Sequence, residues 1–197
     1  MRFIELEDEK IKYIYETFMV NDFPLCELKP LSIILNAKKE HHYRCFALID
    51  DIDNEKDVVC AYTYFASDDN WETVLLDYFA VNENIRGRGT GSKMLELVKD
   101  YFKNNTSVSN VIVESESIES AKNDEENFIR TRRIRFYENN GLKKFGCRPV
   151  VFGTEYTMLV LEVNKEKEID ETEIVNSYLN IYKSILTKKM FEENIRV

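Results

Sequence analysis

At 197 residues, 44% hydrophobic and 32% charged, the chain is long enough for one domain with a buried core and has the composition of an ordinary globular protein. Its net charge of −9 argues against a nucleic-acid phosphate backbone as partner. No stretch approaches the roughly 20 apolar residues that span a membrane, and the acidic start lacks a signal-peptide core, so no membrane partner and a cytoplasmic location are expected.

Phe3 to Leu6 reads as a short first strand. Ile11, Ile14, Tyr15 and Phe18 recur at helical spacing and predict a helix ending before Phe23-Pro24. Pro30 suits the first turn of a second helix that turns Leu31, Ile34 and Leu35 inward. Cys45 to Ile49 and Val58 to Ala66 read as partner strands joined by a polar turn, Asp50 to Asp57. After a turn at Asp68-Asp69-Asn70, a strand begins at Trp71 or Thr73 and runs to Val81. The helix from Ser92 to Phe102 buries Met94, Leu95, Val98, Tyr101 and Phe102. Val111 to Ser115 is the next strand, Ser117 to Asn127 a polar stretch, and a helix containing Tyr137 closes at Asn140-Gly141. Leu142 to Cys147 and Tyr156 to Val163 complete the sheet.

These elements predict an α/β (α+β) fold with a mixed, mostly antiparallel central sheet flanked by helices, built from residues 1–163. Residues 164–197 form an appendage: a charged linker from Lys165 to Glu173, in which Asp170 and Glu173 suit a capping box, then an amphipathic helix. Its stripe of Ile174, Tyr178, Ile181, Tyr182, Ile185 and Leu186 is expected to pack on its own domain, with a homodimer contact or a lid over the substrate site as alternatives.

Three of the six glycines fall in Arg86-Gly87-Arg88-Gly89-Thr90-Gly91, between the strand ending at Val81 and the helix beginning at Ser92. Glycines at a strand-to-helix turn let main-chain N–H groups approach a ligand, and the helix start adds unpaired donors and the positive end of its dipole. This chemistry suits phosphate or pyrophosphate. The G-x-G-x-G spacing is not the G-x-G-x-x-G of dinucleotide folds, and Ser92-Lys93 reverses the Lys-Ser/Thr order of the nucleotide P-loop.

The run resembles the acetyl-CoA loop of the GCN5-related N-acetyltransferases, Arg/Gln-x-x-Gly-x-Gly/Ala, with Arg86, Gly89 and Gly91 in the matching positions. Tyr78-Phe79-Ala80-Val81 is similar to the strand before that loop, and Phe136-Tyr137 with Gly141-Leu142 to the family's helix ending in a Tyr followed by Gly and an apolar residue. The resemblance implies the acyl-CoA N-acyltransferase fold with acetyl-CoA as acyl donor. Main-chain groups of Arg86, Gly87, Arg88, Gly89, Thr90, Gly91 and Ser92 would hold the pyrophosphate, and Phe79, Ala80 and Val81 the pantetheine arm. The N–H of Val81, or one close by, would polarise the carbonyl. The resemblance also makes Tyr137 the acid that protonates the departing thiolate. Many relatives carry Asn and Ala where this chain has Arg130 and Arg133; for most of Arg130, Arg132, Arg133 and Arg135 a solvated helix face is expected, with contact to cofactor phosphates or an anionic substrate as the alternative.

Asp77 interrupts an apolar strand and shares a face with Leu75 and Phe79. A carboxylate there resembles the family's amine-deprotonating acid; binding substrate or making a structural hydrogen bond are the alternatives. Glu114, Glu116 and water are the fallback bases. Cys26, Cys45, Cys60 and Cys147 show no metal spacing, Cys45 and Cys60 lie in apolar strands, and His41-His42 lack further ligands, so neither a metal nor a covalent thiol carrier is expected. The sequence therefore points to an acetyl-CoA-dependent N-acetyltransferase acting on a small-molecule or protein amine by direct attack. Substrate contacts are expected from segments 24–42, 117–130 and 148–156. The alternatives are a non-catalytic acyl-CoA-binding module or a protein-interaction module on the same fold.

Overall fold

A computed structural model describes residues 1–25, 27–50, 58–164 and 170–197. Cys26, most of the expected Asp50–Asp57 turn and residues 165–169 of the expected linker lie outside the described residues. The chain divides into two compact units, Met1–Ala66 with Asp77–Leu97 and Ser67–Leu76 with Val98–Val197.

In the first unit, β1 (Arg2–Glu5), β2 (Tyr43–Asp50) and β3 (Val58–Ser67) form antiparallel ladders, with Phe3 opposite Leu48 and Cys45 opposite Tyr64. Helix α1 (Asp8–Ile14) runs through a π-helical turn, Tyr15–Met19, into the short α2 (Val20–Asp22). The expected apolar stripe buries Ile11 and Ile14, and α3 (Leu31–Lys39) buries Ile34 and Ala37. Pro30 precedes α3 in extended backbone rather than sitting in its first turn. Phe3 stacks on Phe46 at 5.2 Å, and Phe46, Phe65, Tyr62 and Tyr64 fill the core. Such aromatic packing adds to the transfer free energy of burial.

Strand β4 (Thr73–Val81) is shared by the two units, as is α4 (Thr90–Asn105). In the second unit, Thr73–Leu76 of β4 pair in parallel with Asn110–Val113 of β5 (Asn110–Glu116). Strand β5 pairs antiparallel with β8 (Thr154–Glu162), which also takes β6 (Lys143–Lys144) and β7 (Val150–Val151). The fold is thus a mixed α/β arrangement whose sheet is mostly antiparallel and flanked by helices. Among the described residues no helix is long and apolar enough to cross a membrane.

Three local expectations change. The Leu142–Cys147 strand shrinks to β6, because the Leu142 N–H closes α5 (Asp124–Asn139) by donating to the Tyr137 carbonyl. The polar stretch 117–127 contains a 3-10 turn, Ile118–Ser120, and the first turn of α5. Asn123 caps α5 by accepting from the Glu126 N–H, and Asp124, Glu125 and Glu126 complement its dipole. Beyond α6 (Glu171–Ile185), the chain adds α7 (Lys188–Asn194) and β9 (Ile195–Arg196), which pairs with β7.

Helix α6 buries Ile174, Tyr178, Ile181, Tyr182 and Ile185, as its stripe predicts, and packs within its own unit. The Ser184 hydroxyl donates to the Ser67 carbonyl, and the Tyr178 and Tyr182 hydroxyls donate to Glu114 on β5. Asp170 caps it by accepting from the N–H groups of Thr172 and Glu173.

Candidate active site

The glycine turn is built from both ends. At the end of β4, Asn82 donates its N–H to the Cys60 carbonyl and caps the 3-10 turn Glu83–Ile85 through its side-chain oxygen. Arg86 then folds back: Nε donates to the Val81 carbonyl at 2.9 Å and Nη2 to Asp22 at 3.3 Å. Asp22 also accepts from the Tyr62 hydroxyl, so the loop's first residue is anchored to both β3 and the end of α2. Gly87 and Gly89 have φ of +78° and +82°, the left-handed region in which a side chain is strained. A Cβ at either would meet no heavy atom within 4 Å, so the requirement there is conformational and the space outside the turn is open.

The first intrahelical bond of α4 runs from the Lys93 N–H to the Gly89 carbonyl. The N–H groups of Thr90, Gly91 and Ser92 therefore sit in the first turn, where a helix has no internal acceptors for them. Open space, left-handed glycines and a helix N-terminus fit a pyrophosphate.

Strand alternation sets the adjoining edge. Because the Asn82 N–H turns toward β3, that of Val81 turns to the opposite edge of β4. The parallel ladder on β5 ends at the Leu76–Val113 pair, and Asp77–Val81 continue beyond it.

Asp77 is held in the first unit. Its side chain is only 7% exposed, and the Lys29 ammonium donates to both carboxylate oxygens, at 2.7 and 2.9 Å. The Tyr43 hydroxyl donates to one of the same oxygens. Lys29 Nζ also lies 5.3 Å from the centroid of the Tyr78 ring. The Tyr78 hydroxyl accepts from the Lys29 N–H and donates to the Glu27 carbonyl, while the Tyr15 hydroxyl donates to the Lys29 carbonyl. Burial pushes the Tyr78 phenol up, with the Lys29 charge opposing. Sequence reading missed Lys29, Tyr43 and the Tyr78 hydroxyl; the available signal was only that Lys29 falls in a segment expected to contact substrate.

The second unit holds the other candidates. Tyr137 is buried on α5, and burial pushes its phenol up to about 12, with Arg133 opposing. Both oxygens of Glu114 accept tyrosine hydroxyls, and Glu116 pairs with Arg130 and Arg133. Arg130 is buried rather than solvated: it donates to the Ser117 carbonyl, Ser120, Glu116 and Glu126. Cys45, Cys60 and Cys147 are free, and burial pushes each thiol up, away from the nucleophilic thiolate. Among the described residues no cluster of three or more His, Cys, Asp or Glu is placed to hold a metal.

The model of the Acetyltransferase (GNAT) family matches residues 9–141, which take in β4, the glycine turn and α4. The chain belongs to that family. Its fold is similar to that of a protein assigned to the GNAT family from Bacteroides thetaiotaomicron, with a TM-score of 0.67 and 15% identity over 95% of this chain and 100% of that one. It is also similar to spermidine N-acetyltransferase from Vibrio cholerae in complex with CoA and spermine (TM-score 0.60, 9% identity, 82% and 94% covered). A third likeness is to the ribosomal-protein-S18-alanine N-acetyltransferase from Escherichia coli (TM-score 0.58, 16% identity, 85% and 99% covered). No curated protein matches the chain.

Proposed function

We propose that the protein moves an acetyl group from acetyl-CoA to a primary amine of a small molecule or protein, by direct attack in a ternary complex. The observation that carries this reading is the turn from β4 to α4, with left-handed Gly87 and Gly89, open space around them and the α4 N-terminus behind, in a chain of this family. Both kinds of acceptor occur among the similar proteins, one named for spermidine and one for a protein alanine.

When bound, acetyl-CoA supplies the thioester carbonyl that the amine attacks, a C–N bond forming as the C–S bond breaks. The N–H groups from Arg88 to Ser92 hold the pyrophosphate, with Arg86, Gly87 and Gly89 shaping the turn. Phe79, Ala80 and Val81 present the β4 edge to the pantetheine arm, and the Val81 N–H donates to the carbonyl oxygen as negative charge develops there. Asp77 receives the proton that the amine loses, directly or through water. By the family resemblance Tyr137, a phenol that is protonated at neutral pH, donates its proton to the departing sulfur.

Titration calorimetry with acetyl-CoA tests the reading. The wild type is expected to bind in the micromolar range, and Gly89→Glu to abolish binding by placing strain and a negative charge in the turn. A folded wild type that binds no acetyl-CoA overturns the proposal. In a thiol-release assay, Asp77→Asn is expected to lower kcat by ~100-fold and Tyr137→Phe by only ~10-fold, since a thiolate leaves readily without help.

A further inference from the structure

Asp77 is a carboxylate already withdrawn from water and already matched to a cation. Its partner is the end of an unbranched alkyl chain bearing a primary ammonium, which is the chemical group an amine acetyltransferase must bind. We propose that Lys29 occupies the acceptor seat of this enzyme as an internal placeholder, and that the acceptor is an unbranched primary alkylammonium that displaces it from Asp77. The acetyl-transfer reading enters only in calling the displaced position the acceptor's.

The seat is assembled from three elements of one unit. Asp77 and Tyr78 come from β4 and Tyr43 from β2, while Lys29 enters from the connection before α3. A carboxylate that takes two N–H bonds beside an aromatic face 5.3 Å away is a site for an alkylammonium, combining charge-assisted hydrogen bonds with a cation–π contact. Leaving such a buried carboxylate without a cation is costly, because its lost hydration must be replaced by a partner charge. Exchanging one ammonium for another avoids that cost: the desolvation of Asp77 is already offset before the acceptor arrives.

Lys29 is suited to yielding the seat. Its backbone is fixed by the Tyr78 and Tyr15 hydroxyls at 2.8 and 3.0 Å, so the connection keeps its shape when the side chain leaves. The ammonium is carried on a flexible four-carbon stem, and the side chain retains 18% exposure, a route toward solvent. A permanent structural ion pair, by contrast, excludes competing amines. The placeholder therefore makes specific predictions about competition.

The test uses n-butylamine, the amine of the lysine side chain, and requires no acetyl-CoA. Lys29→Met keeps an apolar stem but removes the charge. By calorimetry it is expected to bind n-butylammonium at least ~10-fold more tightly than the wild type, and Asp77→Asn in the same background to abolish that gain. In the wild type, saturating n-butylammonium is expected to raise the N-hydroxysuccinimide-ester labelling of Lys29 several-fold over matched sodium chloride when each sample is normalised to its own other lysines, since the added amine also consumes the ester, read by peptide mass spectrometry. This second measurement decides the matter if Lys29→Met does not fold. Equal affinity in wild type and a folded Lys29→Met, or Lys29 labelling that ignores the amine, overturns the placeholder. Displacement in a protein that fails to bind acetyl-CoA upholds the seat and counts instead against acetyl transfer.

Discussion

Arg130 sits where many relatives carry an asparagine, and its surroundings assign it work other than holding a ligand. Its guanidinium donates to a backbone carbonyl, a serine and two carboxylates while the residue is 8% exposed. Removing the guanidinium takes the partner from the Ser117 carbonyl and Ser120, while Glu116 keeps Arg133 and both carboxylates are part-exposed, so the cost is about 1–3 kcal/mol. Arg130→Ala is therefore expected to lower stability toward urea by roughly that amount, while the folded fraction keeps the wild-type dissociation constant for acetyl-CoA. A stable variant with weakened acetyl-CoA binding would instead make Arg130 a cofactor residue. The sequence offered a cluster of arginines on one helix and no means of separating them, because Ser117 and Glu116 belong to the preceding strand and turn. Asp77 was easier to single out, since a lone acid in an apolar strand is visible by composition. Its partners were not: Lys29 lies 48 residues away and Tyr43 lies 34 away, distances at which periodicity carries no information.

Helix α6 was legible as an element because an apolar stripe at 3.6-residue spacing has one physical meaning, a buried face. What it covers was not legible. Tyr178 and Tyr182 read as stripe residues, yet their hydroxyls end on the two oxygens of Glu114, which looked from the sequence like a spare catalytic base. The polar tips of these aromatics thus match a carboxylate that would otherwise be poorly solvated beneath the helix. Removing both hydroxyls with Tyr178→Phe and Tyr182→Phe takes two charge-assisted hydrogen bonds from that carboxylate. The double variant is expected to lose about 2–4 kcal/mol of stability and to exchange the amides of α6 faster, measured by urea unfolding and deuterium exchange. The element's start makes a smaller, separable contribution: Asp170 caps two N–H groups, so Asp170→Ala is expected to cost about 1 kcal/mol. Strands β7 and β9, of two residues each, escaped sequence reading because so short a ladder has no alternation to detect and is defined by its partner.

At the scale of the whole molecule, buried aromatic hydroxyls and thiols set the response to alkali. Tyr62, Tyr64, Tyr78, Tyr137 and Tyr178 are held above their ordinary range, with burial the largest cause each time. The carboxylates of Asp22 and Glu114 reinforce it at Tyr62 and Tyr178. The thiols of Cys45, Cys60 and Cys147 are raised in the same way. A raised value means that the folded chain keeps a proton the unfolded chain would release. Each such group therefore contributes its full stability below its unfolded value, near 9 for a thiol and 10 for a phenol, and loses it as pH climbs through the folded value. Tyr137, displaced from 10 to about 12, accounts alone for about 3 kcal/mol lost across that window. The others lose stability in the same direction, and a chain already at −9 gains further self-repulsion as its lysines discharge. Stability toward urea is thus expected to hold from neutrality to about pH 8 and to fall steeply above about pH 9–10. Absorbance at 295 nm is then expected to rise in two stages, exposed phenols first and the buried set in one cooperative step that coincides with loss of circular dichroism. Tyr137→Phe removes one released proton and so flattens the fall in stability by about 1.4 kcal/mol per pH unit between 10 and 12. Eleven tyrosines titrating together near 10 while the fold persists would mean that the phenols are open to water and that their burial does not set the alkaline limit of stability.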